Sequence, residues 1–270
     1  MSLSSTPLPY SVIVTRLRAA GCVFAEDEAE LILSTATDPA ELAAMVDRRT
    51  AGLPLEHVLG WAEFRGLRIA VDPGVFVPRR RTEFLVDQAV GLSRPADGPA
   101  VVVDLCCGSG ALGAALAAAL DRVELHSSDV EPAAVRCARR NVAGAGEVYE
   151  GDLFEPLPAS LRGRVGILLA NVPYVPSEDV ELLPAEARVH EPRVALDGGD
   201  DGLDVLRRVT AEAPQWLAPG GHLLVETSER QAARAEETVA RSGLMAQVVT
   251  SDELYATVVI GTRPGTGHGR

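Results

Sequence analysis

The sequence predicts an α/β fold: a doubly wound, mostly parallel seven-stranded sheet, with a small N-terminal helical domain (1–60) and a β-hairpin linker (61–80) ahead of the main domain (81–263). Three observations predict it. Beyond residue 100, β-branched apolar runs alternate with helical stretches, and strand–helix alternation implies parallel strands joined by crossovers. Before residue 52 the apolar residues keep helical spacing. Between Trp61 and Val77 the period becomes two, with turn residues at Arg65-Gly66 and Asp72-Pro73-Gly74.

The opening Met1-Ser2-Leu3-Ser4-Ser5 has no basic region ahead of an apolar core, so no secretory signal is expected. Val12, Ile13, Leu17 and Ala20 share a helix face that stops at Gly21. Asp27 with Glu30 is expected to cap the next helix, which carries Leu31 and Ile32. Asp38-Pro39-Ala40-Glu41 supplies a cap, a proline at the first helical position and a carboxylate three residues on, ahead of Leu42, Met45 and Val46. In the hairpin, Leu67, Ile69 and Val71 alternate with Arg68 and Ala70. The run Arg79-Arg80-Arg81 reads as a solvated surface feature, with contact to an acidic ligand group as the alternative.

In the main domain a helix carries Phe84, Leu85 and Val86, and a loop over 94–99 ends it. Strands are expected at 101–105, 123–129, 148–150, 165–170 and 222–227, with helices at 111–120, 132–142 and 230–241 and another carrying Leu203, Leu206 and Val209. A long loop is expected from Val175 to about Asp201. Strands near 246–249 and 255–260 lie close enough to form a hairpin, so one of them runs antiparallel. The last residues, 264–270, read as a disordered tail.

The bulk numbers exclude several classes. At 47% hydrophobic and 23% charged, the chain has the composition of a globular protein, and no apolar run approaches the roughly 18 residues of a membrane span. A cytoplasmic protein with no membrane partner is expected. The net charge of −13 disfavours stable nucleic-acid binding through phosphates. All 25 basic residues are arginine, which reads as compositional bias. The four cysteines form no C-x-x-C pair and have no neighbouring histidine, so no metal site is expected.

Chemistry is carried by two stretches. The first is Val101-Val102-Val103-Asp104-Leu105-Cys106-Cys107-Gly108-Ser109-Gly110, a strand, a small-residue turn and then a helix. That arrangement gathers free backbone N–H groups and a positive helix end, where a nucleotide-like ligand binds. Gly108-Ser109-Gly110-Ala111-Leu112-Gly113 matches G-x-G-x-x-G, and Asp129 stands 129 − 110 = 19 residues past the second glycine. A nicotinamide dinucleotide would meet those spacings. Asp104, however, would face a pyrophosphate unfavourably and a cationic amino-acid moiety well. The second stretch, Asn171-Val172-Pro173-Tyr174, ends the 165–170 strand, on the side where ligands of open α/β sheets lie. The Asn171 side-chain oxygen and the Val172 carbonyl are two acceptors that match the N–H bonds of a planar NH₂ group, with Tyr174 as a flat neighbour and Pro173 stiffening the backbone.

On these residues the chain resembles the class I S-adenosylmethionine-dependent methyltransferases that act on planar amines or amides: Asp104, the Gly108-Ser109-Gly110 turn, Asp129, Asp152-Leu153-Phe154 and Asn171-Val172-Pro173-Tyr174. More narrowly, Leu59-Gly60, Glu63-Phe64, Val77-Pro78-Arg79, Thr82-Glu83, the run Glu191-Pro192-Arg193-Val194-Ala195-Leu196-Asp197-Gly198-Gly199-Asp200-Asp201-Gly202-Leu203, and Val225-Glu226 with Gln231 resemble the HemK-like protein-glutamine methyltransferases of peptide-chain release factors. The sequence departs from that family's pattern twice: Val172 stands in place of the first proline of Asn-Pro-Pro-Tyr, and Arg80 in place of the second proline of Pro-Arg-Pro-x-Thr-Glu.

The resemblance implies methylation of a glutamine amide nitrogen, in the Gly-Gly-Gln motif of a release factor, with S-adenosyl-L-methionine as methyl donor. It implies that Asp104 and the turn Cys106, Cys107, Gly108, Ser109, Gly110 surround the methionine part, that Asp129 takes the ribose hydroxyls, and that Asp152 and Leu153 flank the adenine. Asn171, Val172, Pro173 and Tyr174 would hold the reacting amide, Asn171 also bordering the cofactor, and the N-terminal helices would recognise the protein substrate. The exocyclic amine of adenine in nucleic acid is the alternative substrate for the same acceptor pair, and a nicotinamide-dependent oxidoreductase is the second alternative.

Overall fold

The computed structural model describes residues 8–93 and 98–265. The opening Met1 to Ser5, most of the 94–99 loop and the end of the tail from Thr266 lie outside the described residues. Three helices, α1 (Tyr10–Ala19), α2 (Ala25–Thr35) and α3 (Pro39–Thr50), and a short α4 (Leu55–Leu59) open the chain. Asp38 caps α3 by accepting from the N–H groups of Ala40 and Glu41 at 2.8 Å each, and Glu41 reaches back to the Thr37 N–H at 2.7 Å. Asp27 and Glu30, by contrast, lie inside α2 and cap nothing. That helix begins two residues before Asp27, and Glu26, Asp27 and Glu28 fill its first turn, where negative charge suits the helix dipole. Ile13, Leu17, Ile32, Met45 and Val46 close a core that these four helices share.

Strands β1 (Trp61–Phe64) and β2 (Leu67–Ala70) form an antiparallel hairpin. Arg65 and Gly66 both have positive φ, at 50° and 74°, the backbone that a two-residue hairpin turn needs. The inner residues Phe64, Ile69 and Val71 join the apolar cluster of the main sheet.

The main body continues through α5 (Glu83–Leu92), β3 (Ala100–Leu105), α6 (Ala111–Ala119), β4 (Val123–Asp129), α7 (Pro132–Asn141), β5 (Gly146–Glu150) and β6 (Val165–Ala170). After them come α8 (Ala185–His190), α9 (Asp204–Trp216), β7 (Leu217–Thr227), α10 (Ala232–Arg241), β8 (Met245–Ser251) and β9 (Ala256–Thr262). The seven-stranded sheet has the order β5-β4-β3-β6-β7-β9-β8; all pairs are parallel except β7–β9 and β9–β8. β9 is therefore the reversed strand. Side chains of β3 alternate between two cores: Val102 packs with α5, α6, α7 and the hairpin on one face, and Val101, Val103 and Leu105 pack with α9 and α10 on the other.

The expected loop from Val175 to Asp201 is partly helical, holding α8 and single turns at Val180–Leu182 and Arg193–Ala195. The segment is too short and too rich in proline for sustained periodicity, so only its tertiary anchors define it. Arg79 grips the buried Glu191 at 2.6 and 2.7 Å, and Arg49 of α3 bridges Glu28 at 2.6 Å and Glu186 of α8 at 2.5 Å. No helix among the described residues is long and apolar enough to cross a membrane.

Candidate active site

After β3 the chain moves to β4 and β5 on one side, and then crosses back to β6 and β7 on the other. The crevice beyond the carboxyl ends of β3 and β6 is thus the switch point where open sheets bind ligands. A cavity of about 480 Å³ lies there, lined by every residue expected of the site except Gly110. Gly110 turns its back to the cavity. Its φ is +77°, and a Cβ would stand 3.0 Å from the Cβ of Ala138, so glycine serves the packing of the turn on α7.

At the β3 end, Asp104 is 1% exposed and accepts one N–H, from Gly113 at 3.1 Å. Burial, with the neighbouring Asp129 charge adding to it, raises its pKa from 3.8 to about 7. Asp129 ends β4 and ties down the glycine turn: one oxygen accepts from the Gly108 N–H at 2.8 Å, the other from Glu131 at 2.9 Å. Burial raises its pKa too, against those two bonds. Burial pushes the thiols of Cys106 and Cys107 up; Cys107 is buried and Cys106 half-buried on the cavity wall.

Four non-glycine residues among the described ones have left-handed backbone. Arg65 and Tyr255 sit in hairpin turns, while Cys106 (φ 52°) and Leu153 (φ 47°) line the cavity. Such backbone costs on the order of 1–3 kcal/mol and tends to be kept where a ligand is cradled. The Ser128 hydroxyl of β4 donates to the Leu153 carbonyl at 2.7 Å, and Arg208 of α9 pairs with Asp152 at 2.5 Å; these contacts tie that second turn to the sheet and to the helix.

At the β6 end, Asn171 follows the last strand residue, and its Oδ1 is buried with no hydrogen-bond partner among the described residues. Val172 is 2% exposed and packs into the apolar cluster below. Two glycines of the following loop make room for the tetrapeptide. A Cβ on Gly198 would stand 2.7 Å from the Pro173 carbonyl, and one on Gly202 would collide with that of Tyr174. Gln231 donates to the Tyr174 carbonyl and to that of Asp201, both at 3.0 Å, so the Asp197–Leu203 loop and the tetrapeptide are fastened as one unit.

Two residues beside the tetrapeptide, Arg81 and Glu226, were not assigned to the site from the sequence, although Glu226 carries part of the family resemblance. The Tyr174 hydroxyl donates to Glu226 Oε1 at 3.0 Å, and Arg81 donates to both, at 2.7 Å to the hydroxyl and 3.1 Å to Oε1. Burial raises the Tyr174 pKa, with the Glu226 charge adding to it. The arginine run is therefore not one solvated feature: Arg79 pairs with the buried Glu191, and Arg81, though itself exposed like Arg80, turns its guanidinium onto Glu226 and Tyr174. A signal for Glu226 did exist, since a carboxylate closing the apolar run Leu223-Leu224-Val225 has to find partners.

A mostly parallel sheet with a reversed β9 and a glycine turn after β3 is the frame of a methyltransferase. The fold is shared with a methyltransferase from Pyrococcus furiosus, at TM-score 0.53 and 16% identity over 82% of this chain and 98% of that one. The Methyltransferase small domain family matches residues 67–199. The chain belongs to the release factor glutamine methyltransferases. It is 39% identical to the Geobacter sulfurreducens member over 84% of this chain and 80% of the relative, and 40% identical to the Mycolicibacterium smegmatis member over 84% and 82%.

Proposed function

We propose that this protein methylates the side-chain amide nitrogen of a glutamine in a peptide-chain release factor, with S-adenosylmethionine as donor. The observation that carries the reading is the buried, unpartnered Asn171 Oδ1, placed in the same cavity as the Asp104 carboxylate. The relatives' family makes the substrate class a release factor, and the net charge of −13 favours a protein over a nucleic acid.

The residues present fit S-adenosylmethionine. Asp104, with a single N–H partner, has acceptor capacity left for an ammonium group, and each Asp129 oxygen retains a lone pair for a ribose hydroxyl. The backbone at Cys106 and Gly108 exposes the turn to a close ligand, and Asp152 with Leu153 offers the adenine a polar edge and an apolar face. When bound, S-adenosylmethionine supplies an electrophilic methyl group on a sulfonium.

An amide nitrogen is a weak nucleophile because its lone pair is delocalised into the carbonyl. Asn171 Oδ1 and the Val172 carbonyl would accept its two N–H bonds, hold it in line with the methyl carbon and polarise it as positive charge develops. Orientation of this kind can supply roughly 7–11 kcal/mol. With that donor bound, the held nitrogen would take its methyl group and give up a proton to water. No strong base is required, because that proton turns acidic only as the new bond forms. The N-terminal helices, tied to α8 by the Arg49–Glu186 pair, would recognise the body of the protein substrate in the cytoplasm, where release factors work.

Incubating the protein with methyl-labelled S-adenosylmethionine and a purified release factor is the test. Label should enter the release factor, on one glutamine, and vanish when that glutamine is replaced by glutamate. Label in nucleic acid from a cell extract, and none in protein, would overturn the reading.

A further inference from the structure

The cavity holds a second acceptor that the reading above leaves unused. In the parallel register, Ala170 of β6 pairs with Val225 of β7, so Asn171 and Glu226 come level at the carboxyl ends of neighbouring strands, about 4.8 Å apart across the sheet. Glu226 is 2% exposed and lines the cavity. Its Oε1 accepts from Tyr174 and Arg81, but Oε2 is buried with no hydrogen-bond partner among the described residues, as is Asn171 Oδ1. Thr82 Oγ1, the hydroxyl of another lining residue, is in the same condition. Buried polar atoms are nearly always satisfied, so three unsatisfied side-chain atoms on residues that line one cavity mark where a ligand completes them.

Charge narrows the ligand. The Arg81 guanidinium already compensates the Glu226 carboxylate at 3.1 Å. The pair turns little net charge toward the cavity, so the complementary group is a neutral N–H donor, not a cation. If both N–H bonds of the glutamine amide go to Asn171 and Val172, the next N–H donors of the substrate are in its main chain.

We propose that Glu226 Oε2 accepts a main-chain N–H of the substrate peptide beside the reacting glutamine. Glu226 is then a specificity-determining residue: it sets the peptide's register so that the glutamine side chain enters toward Asn171. Arg81 is a positioning residue that orients Glu226 through Oε1. This rests on the glutamine-methyltransferase reading above.

Glu226→Gln is the informative change, because the amide oxygen can keep the bonds at Oε1 while a donor replaces the acceptor at Oε2. With an intact release factor as substrate, KM should rise about ten- to a hundredfold, as for loss of a hydrogen bond to a charged group, and kcat should change by less than about threefold. Calorimetric affinity for S-adenosylmethionine should stay unchanged. Semi-synthetic release factors carrying an ester oxygen in place of one peptide nitrogen, at the glutamine or at either neighbour, supply the second readout. One of them should raise the wild-type KM by a similar factor and lose all further sensitivity to Glu226→Gln. The proposal is overturned if Glu226→Gln matches the wild type while Glu226→Ala is impaired, which is the pattern of a residue that only holds Tyr174. It is also overturned if every ester substrate stays fully sensitive to Glu226→Gln. Wild-type enzyme that transfers no methyl to any glutamine would instead bring down the underlying reading, and this one with it.

Discussion

At the β3 and β4 end of the cavity the carboxylates are already engaged by the protein's own backbone; at the β6 and β7 end the acceptors are not. Asp129 takes the N–H groups of Gly108 and Glu131, and Asp104 takes that of Gly113. Asn171 Oδ1 and Glu226 Oε2 have no partner among the described residues. On the proposed function, the difference teaches how one cavity would serve two ligands. Local turns would recognise a constant small molecule, so the chain can wire that end through sequence neighbours. A reacting amide would have to be gripped only while it reacts, so that end keeps its hydrogen-bonding capacity in reserve.

The contrast breaks most severely at Asn171. Asn171→Ala removes an open acceptor and touches no bond that holds the turn after β3, so single-turnover methyl transfer at saturating cofactor should fall about 10²–10³-fold. Cofactor affinity should hold. Equal losses in both would erase the distinction between the two ends.

Asp104 tests the wired end by pH. Burial lifts its pKa from 3.8 to about 7, so between those values the folded chain without cofactor keeps a proton that the unfolded chain has lost. The native state binds more protons there, and stability falls as pH rises across that window. In the proposed site the ammonium of the cofactor would favour the ionised carboxylate, so affinity should climb about tenfold per unit up to roughly pH 7 and then level off. Calorimetric titrations across that range should show the slope in the wild type and a flat, weaker profile in Asp104→Asn.

The smallest effect is expected at Val172. Proline there restores the family's usual residue and keeps the carbonyl acceptor, and among the described residues no hydrogen bond of this segment uses the Val172 N–H. Val172→Pro should therefore leave kcat within about threefold of the wild type, since only orientation, not an acceptor, is altered. A large loss would mean that the side chain of Val172, buried in the lower core, also shapes the open end.

Much of the molecule was legible in the chain itself because the signals are local. A β-branched run buried on both faces, the Asp38 cap and the Arg65-Gly66 turn each lie within a few residues of the structure they specify. They determined the parallel sheet and the tetrapeptide's place at a strand end. Strand order, the inward reach of Arg81 and the pairing of Glu226 with Tyr174 were decided only by tertiary structure. Arg81 and Glu226 stand 145 residues apart, and nothing in a local pattern says that β7 lies beside β6 and opposite the turn before α5. The same holds for α8, whose six residues have little helical stability of their own and are held by Arg49 from another core. Local rules specify what a segment can be, and long-range packing decides which of its side chains meet.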